Sequence, residues 1–336
     1  MVTIKQVAER AGVSTAVVSA ALGGASRTVR MSEATRRRVE QAIAETGYRA
    51  NHAAKSLSLS RTGVIAAVVP KIANPVFEYV IRGMHAAAEE RGEVLLLADS
   101  MWIEPGTHLM ARMAGTGMVD GFLVRTTEWG SERIEELTRR QLPYVVLQQP
   151  GPDDAVSVWI DDRAGIATAT RHLLELGHRD IALVGGPPPV DGPGLRTMGF
   201  RDALTAAGLP FDPGRVHPIG YDPAAIAARV HELMTGSQRP TALVVDNIIS
   251  APGATAALAD LGLRVPEDVS VVVYHDLPTA DQMRPAPTTV RMPLEQAGRR
   301  GYQVLQELIA GQDAVGEVIG DPAPELVDRG STAPPR

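Results

Sequence analysis

The chain has 336 residues, 44% hydrophobic and 21% charged, with no cysteine and a formal net charge of −6. That length exceeds what one hydrophobic core supports, so several domains are expected, and the composition excludes a disordered or collagen-like chain. Without cysteine there is no disulfide framework, thiolate metal site or thiol nucleophile, as fits a reducing cytoplasm. No apolar run of signal-peptide or membrane-spanning length is present, so a cytoplasmic protein without membrane contact is expected.

The charge is unevenly spread. Residues 1–62 hold ten Lys or Arg against four acids, a net +6, and the remainder, with 23 basic and 35 acidic residues, is −12. Such asymmetry marks a basic N-terminal module suited to a polyanion.

Thr3 precedes Ile4, Val7, Ala8 and Ala11 at helical spacing with Gln6 three residues on, which predicts a capping-box helix ended by Gly12. Ser14 caps a second short helix with Val17, Val18, Ala21 and Leu22 as its apolar positions, ended by Gly23 and Gly24. Two short helices three residues apart make a helix-turn-helix, whose second helix enters the major groove and brings Ser14, Thr15, Ala16, Ser19 and Ala20 nearest the DNA. A third helix runs from a Ser32 cap to Gly47. Between them, Arg27 lies in a loop from which it can reach a phosphate. The stretch Asn51 to Leu57 is helix-competent but reads alone as a linker.

The run Val2-Thr3-Ile4-Lys5-Gln6-Val7-Ala8-Glu9-Arg10-Ala11-Gly12-Val13-Ser14, with Ser32-Glu33-Ala34-Thr35-Arg36 and Gly47-Tyr48-Arg49-Ala50-Asn51, resembles the lactose-repressor (LacI/GalR) family over nearly the whole chain. The resemblance implies a hinge helix over Asn51 to Leu57, with Asn51 and Ala54 at the DNA and Leu57 wedged into a minor-groove step. Where the family often carries Thr-Val-Ser-Arg, this chain has Val17-Val18-Ser19-Ala20. Ala16 and Ala20 offer a thymine methyl contact but no hydrogen bond, so direct readout is expected to be thin.

From Gly63 onward short β-branched runs alternate with helical stretches: Val64 to Val69, Val94 to Leu97, Gly121 to Val124, Tyr144 to Leu147, Val156 to Ile160, Ile181 to Val184, Ala242 to Val245 and Val269 to Tyr274. This alternation predicts two doubly wound parallel sheets in the α/β class, with a ligand cleft at the carboxyl ends of their strands. The implied organisation is an all-α headpiece (1–50), a hinge (51–62) and a two-lobed, periplasmic-binding-protein-like body (63–336). The chain would cross between lobes near Asp161 and Arg291, giving one lobe of about 63–161 plus 293–321 and another of about 162–292 plus 322–336.

Two other classes share such a body. A nucleotide-dependent enzyme is disfavoured because Gly185-Gly186-Pro187-Pro188-Pro189 lacks the G-x-G-x-x-G spacing and its prolines remove phosphate-binding N–H groups. A periplasmic binding protein is disfavoured by the added headpiece. Neither catalysis nor a cofactor nor a metal is therefore expected. The resemblance places the effector pocket at Asn74, Phe77, Arg125, Gln148, Asp161, Arg196, Tyr221, Asn247, His275 and Met292. At positions where sugar-responsive members often place Asp stand Gln148, Ile248 and His275, so an anionic or heterocyclic effector is expected over a free hexose. The expected partners are that effector, a pseudo-palindromic double-stranded operator and a second copy of the chain. The C-terminal tail carries no heptads and so no tetramerising coiled coil.

Overall fold

The structure, a computed structural model, describes residues 2–22, 31–48, 61–100, 113, 117–125, 131–151, 155–188 and 194–336. Four of the DNA-contact positions expected above, Arg27, Asn51, Ala54 and Leu57, lie outside the described residues.

The headpiece is built as its caps dictate. In α1 (Ile4–Ala11), Thr3 and Gln6 form the capping box and Gly12 closes the helix in the left-handed region at φ 64°. In α2 (Thr15–Ala21), the Ser14 hydroxyl accepts from the Val17 N–H, and in α3 (Glu33–Thr46), Ser32 does the same for Thr35. The three helices bury Val7, Ala8, Ala11, Val18, Val39 and Ala42, with Ile43 and Tyr48 against them. An ion pair between Arg10 and Glu45 ties α1 to α3 on the surface.

In the body, the first sheet contains β1 (Val64–Val69), β2 (Val94–Asp99), β3 (Gly121–Val124), β4 (Tyr144–Leu147), β5 (Ser157–Ile160) and β11 (Glu317–Ile319), in the order β2-β1-β3-β4-β5-β11. The second contains β6 (Ile181–Val184), β7 (Val216–His217), β8 (Ala242–Val245), β9 (Ser270–Tyr274), β10 (Thr288–Arg291) and β12 (Glu325–Val327), in the matching order β7-β6-β8-β9-β10-β12. Helices α4 (Val76–Glu90), α5 (Ser131–Arg139) and α10 (Leu294–Ile309) belong to the first sheet; α6 (Asp162–Glu175), α7 (Leu195–Ala206), α8 (Pro223–Thr235) and α9 (Ala251–Asp260) to the second. None of the described helices is long and apolar enough to cross a membrane.

One edge departs from the all-parallel expectation, since β12 runs antiparallel to β10. The connectivity explains it. The parallel strands of both sheets point their carboxyl ends at the cleft, so the chain leaving β11 enters the second lobe from the cleft side. The next strand can then only run away from it. β7, β11 and β12 have only two or three residues each, too few for an alternation pattern to betray them.

Glycines permit the closest helix contacts. A Cβ at Gly83 of α4 would lie 1.9 Å from the Glu295 carbonyl oxygen of α10, and one at Gly298 would lie 2.0 Å from that of Val80. Residues 61–63, which lead into β1, are fastened to the same lobe: Arg61 donates to the Ile309 carbonyl at 2.8 Å, and the Asp120 carboxylate accepts from the Thr62 and Gly63 N–H groups at 2.6 and 2.7 Å.

Candidate effector cleft and nucleic-acid interface

The turns that follow the strands bring the candidate cleft residues together. Arg125 follows β3, Gln148 follows β4 and Asp161 follows β5, while Asn74 and Phe77 open α4 after β1. From the second lobe, Arg196 sits in the first turn of α7 after β6, Tyr221 follows β7, Asp246 and Asn247 follow β8, and His275 follows β9. Every one of these positions lies toward the carboxyl ends of parallel strands, where open sheets bind ligands.

Arg196 is the centre of the constellation. Its Nε donates to Asp162 Oδ1 at 3.1 Å, and its Nη1 donates to Asp246 Oδ1 at 2.7 Å, to the Asp246 carbonyl at 2.9 Å and to the Tyr221 hydroxyl at 3.4 Å. The guanidinium lies 4.7 Å from the centroid of the Tyr274 ring, and the Tyr274 hydroxyl donates to Asp162 Oδ1 at 2.8 Å. Burial opposes the arginine's charge, but Asp162 and Asp246 outweigh it and hold Arg196 well above its ordinary range. Arg196 stays charged because arginine does not deprotonate in proteins, and beside it burial pushes the Asp246 carboxyl up against the pull of that charge. Nη2 has no hydrogen bond to any described residue.

Arg125 brings the first lobe's charge to the same place. Its guanidinium lies 5.3 Å from the Phe77 ring centroid and acts electrostatically on Tyr221, Asp246 and His275 of the second lobe. Burial, then the positive charges of Arg196 and Arg125, push His275 well below the usual histidine range, so the ring is neutral. It stacks tilted on Tyr274 at 4.2 Å between centroids.

Gln148 and His275 occupy equivalent places in the two lobes, each just beyond the fourth strand in the shared order. Both are buried and both hold a left-handed backbone, with φ of 64° and 71°. Gln148 Nε2 and His275 Nδ1 are buried without a hydrogen-bond partner. Strained backbone and unsatisfied polar atoms together mark a place where something else completes the structure.

Other expected residues serve local structure. Asn74 Oδ1 accepts from Val76 N–H, Asp161 caps α6 through Ala164 N–H, and Asn247 Oδ1 accepts from Ile249 N–H. Met292 packs its sulfur beside Gly165 of α6. A cavity of about 530 Å³ lies on the crossover side, lined by Tyr79, Asp276, Arg291, Leu294, Glu325 and Arg329 among others, and of the expected residues it includes only Met292. Asp162, Asp246 and Tyr274 were missed by sequence reasoning. For Asp246 and Tyr274 the sequence shows only that each stands at the end of an apolar strand run, Val245-Asp246 and Val273-Tyr274, which does not say that either meets the arginine. Among the described residues no three metal-ligating side chains converge.

On the headpiece, Ser14, Thr15, Ala16 and Ser19 are exposed and Ala20 is half-buried; Ala16 and Ala20 lie on the side of α2 away from the buried Val18, while Thr3 sits at the start of α1.

A helix-turn-helix module carried on a two-lobed sheet body with a charged cleft defines a ligand-responsive DNA-binding transcriptional regulator. The chain belongs to the LacI family of bacterial regulatory proteins. Residues 3–51 match the family's DNA-binding domain, described as bacterial regulatory proteins of the lacI family, and residues 170–332 match a periplasmic binding protein-like domain. The HTH-type transcriptional repressor PurR of Edwardsiella ictaluri is 32% identical over 337 residues, covering 99% of this chain and 97% of that one. Among solved structures, a LacI family transcriptional regulator from Mycobacterium smegmatis aligns with a TM-score of 0.74 at 33% identity over 81% of this chain and all of that one. The transcriptional regulator CelR in complex with cellobiose aligns with a TM-score of 0.70 at 30% identity, over 98% of this chain and all of the other.

Proposed function

We propose that the chain is a cytoplasmic homodimeric repressor that reads a pseudo-palindromic operator through α2 and the segment 51–57, and that a small molecule held between its lobes sets operator affinity. Residues 1–50 form the headpiece and 51–62 the hinge. The lobes comprise about 63–161 with 293–321 and about 162–292 with 322–336. Thr3, Ser14, Thr15, Ala16, Ser19, Ala20, Arg27, Asn51, Ala54 and Leu57 contact DNA. Edge strand β2 leaves Val94, Leu96 and Leu97 exposed, an apolar edge that a second copy covers in the dimer. Because Arg61 and Thr62 are fastened to the first lobe, a change of lobe angle moves the hinge exits of both protomers. Operator affinity follows, with reciprocal coupling between the two ligands.

The effector is a neutral, hydroxyl-rich compound. The observation that carries this is the clamp of Arg196 between Asp162 and Asp246. The expectation of an anionic or heterocyclic ligand counted lost carboxylates at 148, 248 and 275. Asp162 and Asp246 supply two, and they balance the charges of Arg196 and Arg125. A vicinal pair of hydroxyls fits such a clamp by donating to a carboxylate and accepting from Nη2, with the stronger bonds that charged partners make. The cellobiose in the CelR complex is a ligand of this class.

Thermal-shift screening of the full chain tests the assignment. A ligand at a hundredfold excess over its Kd stabilises by about 2.7 kcal/mol. Neutral sugars and nucleosides are expected to raise Tm. Stabilisation by phosphorylated sugars or organic acids alone would show that the clamp has been misread.

A further inference from the structure

The helix that faces the major groove has an unusual composition. α2 reads Thr-Ala-Val-Val-Ser-Ala-Ala and contains no Arg, Lys, Asn, Gln, Asp or Glu. Every side chain that grips a base edge with a strong specific contact is absent from it: no guanidinium or ammonium for guanine, no amide for adenine, no carboxylate for cytosine.

Packing fixes what the helix offers instead. Val18 is fully buried in the headpiece core and Val17 is half-buried, so the outer face carries Thr15, Ala16 and Ser19, with Ala20 half-buried beside them. Ala16 and Ala20 are four residues apart, so their methyl groups lie one above the other along the helix. The hydroxyls of Thr15 and Ser19 both donate and accept, so they suit several bases. Apolar contact does discriminate, because thymine alone presents a C5-methyl group in the major groove. Small side chains also let the helix backbone approach the base edges closely.

We propose that this chain selects its operator half-site through thymine methyl groups packed against Ala16 and Ala20, with the hydroxyls of Thr15 and Ser19 as orienting contacts. The inference rests on α2 being the recognition helix and adds the chemistry it reads. Burying one methyl-sized group contributes about fourfold in affinity. Two such contacts in each half-site make a palindromic duplex more than a hundredfold dependent on its thymine methyls.

The test uses the full chain and a pool of randomised duplexes. Sites enriched by rounds of binding are resynthesised with deoxyuridine in place of each thymine in turn, which removes the methyl and leaves Watson–Crick pairing intact. The expected result is a palindrome with thymine at two or more positions of each half-site where deoxyuridine raises Kd about fourfold, with Kd on a scrambled duplex unchanged. In Ala16→Gly and Ala20→Gly variants the deoxyuridine effect disappears at the matching position. The substitution in the DNA leaves the protein's folding untouched, so an unstable variant does not spare the proposal. Deoxyuridine effects below twofold everywhere would overturn methyl reading, as would effects that persist in both glycine variants, which would mark a DNA-shape effect. A pool in which no sequence is enriched would instead overturn the recognition-helix reading itself.

Discussion

Replacing Arg196 by methionine keeps an unbranched stem over the Tyr274 ring and removes the charge that holds Asp162 and Asp246. Their side chains are only 13% and 6% exposed, so both carboxylates are left in a weakly solvated site with their cation gone. Breaking a buried ion pair by deleting one partner costs about 3 to 5 kcal/mol, a large fraction of a domain's total stability. The Tyr274 hydroxyl still donates to Asp162, which places the expected loss inside that range and not above it. Burial already pushes the Asp246 carboxyl up, and loss of Arg196 pushes it further. A carboxyl whose folded pKa lies above its unfolded value binds more protons when folded, so the deficit shrinks as pH falls. Urea unfolding of parent and variant, followed by tryptophan fluorescence between pH 7.5 and 5, measures both features. A deficit under 1 kcal/mol that does not change with pH would refute the idea that Arg196 neutralises a buried acidic pair.

His275 is held neutral in the fold by burial and by Arg196 and Arg125, so its folded pKa lies below the unfolded 6.5. Its stabilisation is complete above pH 6.5 and is lost as pH falls below that value, by up to about 1.4 kcal/mol per pH unit. A His275→Asn variant should show a correspondingly flatter acid limb in the dependence of Tm on pH, and an unchanged limb would contradict the assignment. Gly298→Ala drives a Cβ to within 2.0 Å of the Val80 carbonyl oxygen and is expected to cost about 3 kcal/mol by forcing α4 and α10 apart, read from the urea midpoint. Gly186 has φ 82° and its Cβ would lie 2.2 Å from Asp246 Oδ2. Gly186→Ala should therefore lower both Tm and effector affinity, whereas a loss of Tm alone would show that Asp246 has no part in the clamp.

The fold was legible in the sequence wherever local chemistry settles local structure. Thr3, Ser14 and Ser32 announce three helix starts because an N-cap must satisfy orphan N–H groups, and the buried central strands announce themselves as β-branched runs. The antiparallel turn of β12 was not legible, since it follows from where the chain re-enters the second lobe and not from Glu325, Leu326 or Val327. In the cleft, Arg196, Arg125, Tyr221 and His275, named from the sequence as pocket residues, stand near one another, but the two acids that bond Arg196 were not named. Asp162 stands beside a capping Asp161 and Asp246 beside Asn247, and nothing in the residue types says which neighbour points at the arginine. The left-handed backbones of Gln148 and His275 were equally silent, because neither residue type signals a positive φ as glycine does.

Coupling between the two ends of the molecule is tested most directly by measuring operator affinity of the full chain at fixed salt, with and without a saturating effector found by the thermal screen. The same titration is repeated on an Asp246→Asn variant. The expected result is a change in operator Kd of roughly 5-fold to 150-fold, an equal factor when effector affinity is measured on free and operator-bound protein, and loss of the response in the variant with effector-free DNA affinity retained. An operator affinity that does not change while the cleft is demonstrably filled would contradict the account.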